Sequence, residues 1–192
     1  MIESKSIVII PCKMDSERLK GKNLSLIGDK TLLEHSILYA RESKYVKQII
    51  VSTESDEVKD VCKKYEDVLV HNRPIDLLKD ADTVDVYVDV MKMKEILPSI
   101  SHVVGLQPDN PDRQKPLDEI LEYFVTKKYD DLVTVGVDGT RNGSVRVIKS
   151  LFVILDNVSR RVGSLQDDCT NIHNQKDLEI ATERLLKRNE NA

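Results

Sequence analysis

Residues 9–23, IIPCKMDSERLKGKN, pass from an apolar run into a basic loop of the kind that can hold an anion. The cations of this loop are Lys13, Arg18, Lys20 and Lys22. Lysine and arginine side chains bind phosphate groups through their charge and their N–H donors. A solvated surface loop explains the same charges equally well, so charge alone leaves both interpretations open.

The same loop differs from the common phosphate-binding motifs. Ser16 stands where a P-loop has its first glycine, and Asn23 stands where that motif has a magnesium-binding serine or threonine. No G-x-G-x-x-G follows the first apolar run, so a dinucleotide-binding function loses its main support. Side-chain cations, rather than a glycine cradle, are therefore expected to meet the phosphates.

The composition limits what such a loop can serve. The 192 residues contain 29 Lys and Arg against 33 Asp and Glu, a formal net charge of −4, so we expect no nucleic-acid or membrane partner. The three cysteines are an odd number at wide spacings, which argues against a disulfide framework and favours a reducing cytoplasm. We expect one domain, residues 1–192, and see no apolar run long enough to span a membrane.

Short β-branched runs alternate with helical patterns along the chain. The runs that predict the main strands lie at 6–11, 47–53, 67–71, 102–108 and 131–137, and shorter strands are predicted at 142–148 and 151–155. Apolar residues at helical spacing predict helices at 31–43, 56–65, 83–97, 116–129 and 175–189. This alternation predicts an α/β fold: one Rossmann-like, three-layer α/β/α domain with a mostly parallel sheet, in which ligands bind beyond the carboxyl ends of the strands.

Four motifs in sequence order resemble one enzyme family. They are IIPCKMDSERLKGKN, then TLLEHSILYARESKYVKQIIVSTESDEVKDVCKKY, HNRPIDLLKDADT and VVGLQPDNPDR. Together they make residues 5–137 similar to the CMP-sugar synthetases, the cytidylyltransferases that activate N-acylneuraminate and 3-deoxy-manno-octulosonate. The resemblance implies the nucleotide-diphospho-sugar transferase type of fold, CTP as a substrate, an acidic sugar or other small acidic acceptor, and a place in cell-surface polysaccharide biosynthesis.

The resemblance also implies roles for individual residues. Catalytic positions match Lys22, Lys13 and Arg18; nucleotide-binding positions match Ser16, Asn23, Arg73 and Ser52; substrate-binding positions match Gln107 and Arg113; and a Mg²⁺ ligand matches Asp109. For Arg73 the alternative is a surface ion pair with Asp76. For Asp109 it is an ordinary turn between two prolines.

Three departures from the family pattern stand out. Asn171 and His173 occupy the places of a second metal-binding Asp-x-Asp pair, and the neighbouring Asp167 and Asp168 are alternatives if the alignment shifts. Asp15 replaces a small residue of the family and would repel a triphosphate unless it binds the metal or a cation of its own loop.

The third departure is a deletion. The family's long insertion after the fifth main strand, which reaches a partner subunit, is missing here, because VTVGVDGTRNGSVRVI passes almost directly to the next strand. A small acceptor suits this shortened form better than a nine-carbon acid. A homodimer remains open.

Three functions therefore stay open: a Mg²⁺-dependent cytidylyltransferase, a related enzyme that uses another nucleoside triphosphate, and a non-catalytic nucleotide-binding module.

Overall fold

The computed structural model describes residues 5–14, 21–78 and 81–190 of the chain. Its strands are β1 (Ser6–Pro11), β2 (Leu26–Ile27), β3 (Lys30–Thr31), β4 (Val46–Thr53), β5 (Val68–Asn72), β6 (His102–Leu106), β7 (Asp131–Val135), β8 (Arg141–Lys149) and β9 (Val162–Gln166). Its α-helices are α1 (Leu32–Arg41), α2 (Asp56–Cys62), α3 (Thr83–Val90), α4 (Leu117–Thr126), α5 (Ser150–Ile154) and α6 (Gln175–Glu190). Two short 3₁₀ turns are Lys22–Leu24 and Ile75–Leu77.

Seven strands form one sheet in the order β5-β4-β1-β6-β8-β7-β9. β8 runs antiparallel to both of its neighbours, and the other pairs are parallel. The predicted mostly parallel sheet is therefore confirmed. After β1 the chain places β4 on one side of it and β6 on the other, so β1 marks the point where the strand order reverses, the usual ligand position in such sheets.

Helices cover both faces of the sheet, as the sequence predicted. Val8 and Ile10 of β1 lie in a cluster with apolar residues of α1, α2 and α4, whereas Ile7 and Ile9 lie in a second cluster with residues of α3 and α5. The alternation follows from the two-residue period of a strand. The predicted apolar face of the terminal helix α6 is also confirmed, because Leu178, Ala181 and Leu185 pack beside Ile27, Leu32 and Ile172.

Two secondary-structure predictions were wrong, and one strand was missed. Residues 151–154 lie in helix α5 and Leu155 follows it, instead of forming a strand, because five successive apolar residues carry no periodicity that separates the two structures. The third helix ends at Val90 rather than near Leu97, and irregular turns follow it up to Pro98. Strand β9, VGSLQ, was not predicted, since its two apolar residues give too weak a signal.

Among the described helices, none has both the length and the apolar character that crossing a bilayer requires.

Candidate active site

Two adjoining clefts lie at the carboxyl ends of β1 and β6, and both are lined by Pro11, Lys13 and Gln107. The first cleft, of about 160 Å³, extends to Arg73 and to an apolar wall from the segment before α3 and from α3 itself. The second, of about 150 Å³, extends to Lys22, Asn23, Pro108 and Asp109. The clefts therefore lie at the predicted edge of the sheet, beside the strand where its order reverses.

Lys22 and Asp109 contact each other directly at the second cleft. Lys22 Nζ lies 2.5 Å from Asp109 Oδ2, and it also donates a hydrogen bond to the carbonyl oxygen of Ile172 at 3.0 Å. Both side chains are only slightly exposed, 14% and 17%. Gly21 turns the chain into this position with a φ of 68°, a conformation that favours glycine. The predicted catalytic lysine and the predicted metal ligand thus form one ion pair.

Asn23 lies in the turn Lys22–Leu24, at the end of the loop that follows β1, and is 6% exposed. Its Nδ2 donates a hydrogen bond to the Lys13 carbonyl oxygen at 3.1 Å, which ties the two ends of the loop together. Its Oδ1 is buried and has no hydrogen-bond partner among the described residues. Asn23 lines the second cleft, and this oxygen is covered by protein atoms in the present conformation. Lys13 is exposed, and its Nζ lies 3.5 Å from the Leu78 carbonyl oxygen.

Arg73 carries a buried cation on the wall of the first cleft, with 7% of the residue exposed. Its Nε donates to Ser52 Oγ at 3.2 Å, and its NH2 donates to the Ser52 carbonyl oxygen at 3.1 Å. Burial lowers the pKa of the guanidinium. The alternative of a surface ion pair with Asp76 is wrong, since Arg73 is buried and forms no ion pair within the described part of the chain.

Ser52 itself lies behind Arg73 and is fully buried. Its side chain is therefore out of reach of a molecule in the cleft and contacts the Arg73 guanidinium instead. This differs from the direct contact that the resemblance implied, and the reason is that β4 directs this side chain to the sheet face covered by α3, beside His71 of β5.

The two predicted substrate-binding residues have different surroundings. Gln107 lines both clefts, where it joins the two candidate subsites. Arg113 is 1% exposed, donates to the Gln107 carbonyl oxygen at 2.6 Å and lies 5.0 Å from the centre of the Tyr39 ring. Direct binding of substrate by Arg113 is therefore at odds with the structure, because its side chain lies in the interior and supports Gln107 from below.

The carboxylates near the end of the chain lie outside both clefts. Asp167 Oδ1 accepts hydrogen bonds from the backbone N–H groups of Gln114 and Lys115 at 2.9 and 3.0 Å, and burial raises the pKa of this carboxyl. Asp168 pairs with Arg184 at 2.8 Å. Asp167 Oδ2 is buried without a hydrogen-bond partner among the described residues. Neither carboxylate lines a cleft, so neither stands in the place of the missing Asp-x-Asp pair there.

The segment with Asn171 and His173 does approach Asp109. The N–H of Ile172, between these two residues, donates to the Asp109 carbonyl oxygen at 2.9 Å. Asn171 Oδ1 is buried and lacks a hydrogen-bond partner among the described residues. The N–H of His173 bonds to Asp177 at the start of α6.

The oxygens at this place suit a hard cation. Asp109 offers a carboxylate at the second cleft, and Mg²⁺ is commonly held by one or two carboxylates together with phosphates of a bound molecule. Asn171 Oδ1 lies in the neighbouring segment and is buried. Within the described ranges, no group of three histidine, cysteine, aspartate or glutamate side chains could hold a metal ion by itself. The Asp109 carboxylate therefore fits a cation whose other ligands come from a bound molecule.

Four residues of the basic loop, Asp15, Ser16, Arg18 and Lys20, lie outside the described residues, so their predicted roles stay predictions. One feature of the site was not predicted from the sequence. It is the apolar wall of the first cleft, formed by Leu77, Leu78 and Val86. The only signal was the apolar pair in PIDLL, which is equally typical of a core-facing turn.

Comparison with known proteins gives a consistent picture. A sequence model described as "Cytidylyltransferase" matches residues 7–179. CMP-N,N'-diacetyllegionaminic acid synthase of Legionella pneumophila is 33% identical over 110 residues, which are 56% of this chain and 47% of that protein. The 3-deoxy-manno-octulosonate cytidylyltransferase of Rickettsia felis is 28% identical over 154 residues, which are 80% and 60% of the two chains. The chain thus spans about half to three-fifths of the length of these relatives.

Solved structures share the fold at low sequence identity. A CMP:2-keto-3-deoxy-manno-octonic acid synthetase in complex with CTP has a TM-score of 0.70 and 14% identity, covering 96% of this chain and all of that one. A Mycobacterium tuberculosis protein in complex with manganese has a TM-score of 0.61 and 16% identity, covering 94% and 98%. Proteins of this fold therefore include one that binds CTP and one that binds a divalent metal.

Proposed function

The chain belongs to the cytidylyltransferase family, and from this membership we propose that it transfers CMP from CTP to an acidic sugar or another small acidic acceptor, with release of pyrophosphate. One observation carries the proposal. Residues from three separate segments meet at the two adjoining clefts: Lys13, Lys22, Asn23, Arg73, Gln107 and Asp109. These segments are the ones whose motifs resemble the family.

The reaction requires positioning and charge neutralisation more than covalent catalysis. An acceptor oxygen forms a bond to the α-phosphorus of CTP, and the bond between this phosphorus and the bridging oxygen breaks, so that the electron pair leaves with pyrophosphate. Lys22 and Lys13 lie where they would neutralise the charge that develops on the phosphates. Arg73 and Asn23 would hold the nucleotide, and Gln107, which lines both clefts, would lie between the nucleotide and the acceptor.

For the metal, we propose Mg²⁺ held by Asp109, with Asn171 as a second oxygen donor. A bound Mg²⁺ would supply neutralisation of phosphate charge. Because Lys22 Nζ now contacts Asp109 Oδ2 at 2.5 Å, these two side chains must separate before the carboxylate is available to a cation. The released lysine would then be free to contact phosphate, so one movement would prepare both groups.

For the acceptor, we propose a compound smaller than a nine-carbon acid. The supporting observation is the short connection between β7 and β8: residues 136–140 form a tight hairpin turn in which the Gly136 N–H bonds to the Thr140 carbonyl oxygen. No arm extends from this connection. Isothermal titration showing tight, selective binding of a nine-carbon acid over short sugar acids would contradict the proposal.

The expected cytoplasmic location and a homodimer also stay predictions. Light scattering of the purified chain measures its molar mass and tests the homodimer, which would have twice the 21.9 kDa of one chain.

The decisive experiment is a pyrophosphate-release assay with each of the four nucleoside triphosphates and a panel of acidic acceptors. We expect release with CTP and one class of small acidic acceptor. Release with a different triphosphate would favour the related nucleotidyltransferase. Retained CTP binding without release from any triphosphate would favour a non-catalytic nucleotide-binding module.

A further inference from the structure

A chain of hydrogen bonds runs behind Arg73 and reaches helix α3. Arg73 Nε donates to Ser52 Oγ at 3.2 Å, Ser52 Oγ lies 3.0 Å from His71 Nδ1, and His71 Nε2 lies 3.1 Å from Asp89 Oδ2. The chain links the end of β4, the end of β5 and the helix α3 that covers them. Ser52 is fully buried and His71 is 7% exposed, so water does not compete freely for these bonds.

For a neutral imidazole, one arrangement of protons satisfies every hydrogen bond of this chain. A carboxylate only accepts, so His71 Nε2 must carry the proton that it donates to Asp89. In a neutral imidazole the other nitrogen then accepts, and it takes the proton of the Ser52 hydroxyl. The Ser52 oxygen, with its own proton directed at His71, is left to accept from Arg73. The hydrogen bond of each group thus fixes the proton position of its neighbour.

Burial favours this neutral form of His71. Burial lowers the pKa of His71; the charge and hydrogen bond of Asp89 oppose this effect, and the Arg73 guanidinium adds a smaller lowering. Asp89 is itself contacted by Lys92 at 3.6 Å, which divides its charge between two partners. Glu54 and Cys12 act on the pKa of Arg73, which both of them raise. Neither is among the groups that shift the pKa of His71.

The order Asp89, His71, Ser52 resembles that of a hydrolase triad, but the surroundings exclude this role. The Ser52 hydroxyl is fully buried, and its oxygen already accepts a hydrogen bond from a cation. An oxygen in that position cannot reach a substrate. The chain therefore ends functionally at Arg73, whose remaining surface lines the first cleft.

We propose that His71 and Asp89 are positioning residues that hold the Arg73 guanidinium, through Ser52, in the orientation that binds the nucleotide. This inference rests on the proposed function, because it assumes that the first cleft binds CTP. Its specific content is that the imidazole acts as a hydrogen-bond acceptor for Ser52 and as a donor to Asp89, rather than as a packing element.

Steady-state kinetics of two His71 variants tests this role. His71→Leu removes both hydrogen bonds, and we expect KM for CTP to rise about tenfold or more with a smaller change in kcat, because a buried hydroxyl is left unpaired and Arg73 loses its fixed partner. His71→Asn retains an acceptor near the Nδ1 position, and we expect it to recover most of the affinity. The control is His102→Leu, which removes a partly buried histidine at the opposite end of the sheet and should leave KM for CTP unchanged.

A second measurement does not depend on turnover. Nitrogen-15 NMR should show neutral His71 protonated at Nε2 above pH 7, and the Arg73 Nε–H should exchange slowly in the wild type and faster in His71→Leu. A His71 protonated at Nδ1 would overturn the proposal. The proposal also fails if KM for CTP is unchanged in His71→Leu while it is raised in Arg73→Ala. It fails as well if Arg73→Ala itself leaves KM for CTP unchanged. If no triphosphate is turned over, the proposed function fails, and the NMR result alone then decides whether the chain of hydrogen bonds positions Arg73.

Discussion

The two halves of the sheet are organised differently. In the half formed by β5, β4, β1 and β6, buried side chains fix groups at the clefts, as Ser52 does for the Arg73 guanidinium and Asn23 for the Lys13 carbonyl. Beside the half formed by β8, β7 and β9, helix α5, the segment after it and β9 expose large apolar residues by 53–80%: Leu151, Ile154, Leu155, Val158 and Val162. The first half carries the candidate site, whereas the second carries the short β7–β8 connection that departs from the family pattern.

Replacing Lys22 should have the largest effect, because it removes a cation from the centre of the first half. For Lys22→Ala we expect kcat for pyrophosphate release to fall by about 10² to 10³, the usual cost of losing a charge-stabilising group in a transition state. Lys30→Ala is the matched control, since Lys30 pairs with the exposed Asp29 on the β2–β3 hairpin and should retain full activity. A Lys22→Ala enzyme with wild-type kcat would remove Lys22 from the catalytic group and break the contrast between the halves.

Two glycines compare the rigidity of the halves directly. A Cβ at Gly105 of β6 would lie 1.8 Å from the Tyr87 hydroxyl oxygen, and a Cβ at Gly163 of β9 would lie 2.4 Å from Cζ of Tyr129. Tyr87 is 2% exposed and packed in the core, whereas Tyr129 is half-buried at the rim and has room to move.

We therefore expect Gly105→Ala to lower the free energy of unfolding by about 1–3 kcal/mol, the range for overpacking a core, and Gly163→Ala to lower it clearly less. Urea unfolding of both variants gives the comparison. Equal losses would show that the β9 edge is as tightly packed as the centre of the sheet.

The metal site tests whether the second half contributes to function. For Asp109→Asn we expect the Mg²⁺ concentration at half-maximal activity to rise at least about tenfold, since losing even a residue that only supports a metal ligand commonly costs that much. Asp168→Asn is the control, because Asp168 pairs with Arg184 on the surface and should leave the Mg²⁺ dependence unchanged. If the Mg²⁺ concentration at half-maximal activity rose in Asp168→Asn and not in Asp109→Asn, the cation would bind in the second half instead.

The sequence predicted the first half better than the second for physical reasons. Strands β1, β4 and β6 are continuous β-branched runs buried on both faces, and the motifs at their ends are local in sequence, so pattern and resemblance agreed. Strand β9 and helix α5 depend on tertiary contacts with β7 and α3, which no local pattern encodes. The Lys22–Asp109 pair joins residues 87 positions apart, and the role of Ser52 depends on its register with His71 across two strands. These relations appear only once the sheet is assembled.

Acidification should have the smallest effect and separates stability from ligand binding. His102, at the amino end of β6, packs edge-on against Phe124, and burial together with the facing Lys149 lowers its pKa to about 4. His71, at the cleft, has a carboxylate neighbour that opposes such a shift. Because the folded pKa of His102 is depressed below its unfolded value near 6.5, the unfolded chain binds more protons, and stability falls as the pH drops below that value.

From pH 7 to pH 6 this single group should lower the free energy of unfolding by roughly 0.7 kcal/mol, and urea titrations at the two pH values measure the change. His102→Phe keeps a ring against Phe124 and cannot titrate, so its stability should fall less over the same interval, while its KM for CTP should match that of the wild type. An equal fall in both proteins would mean that other groups dominate the acid sensitivity. The difference between the two curves isolates His102, because His71 contributes equally to both.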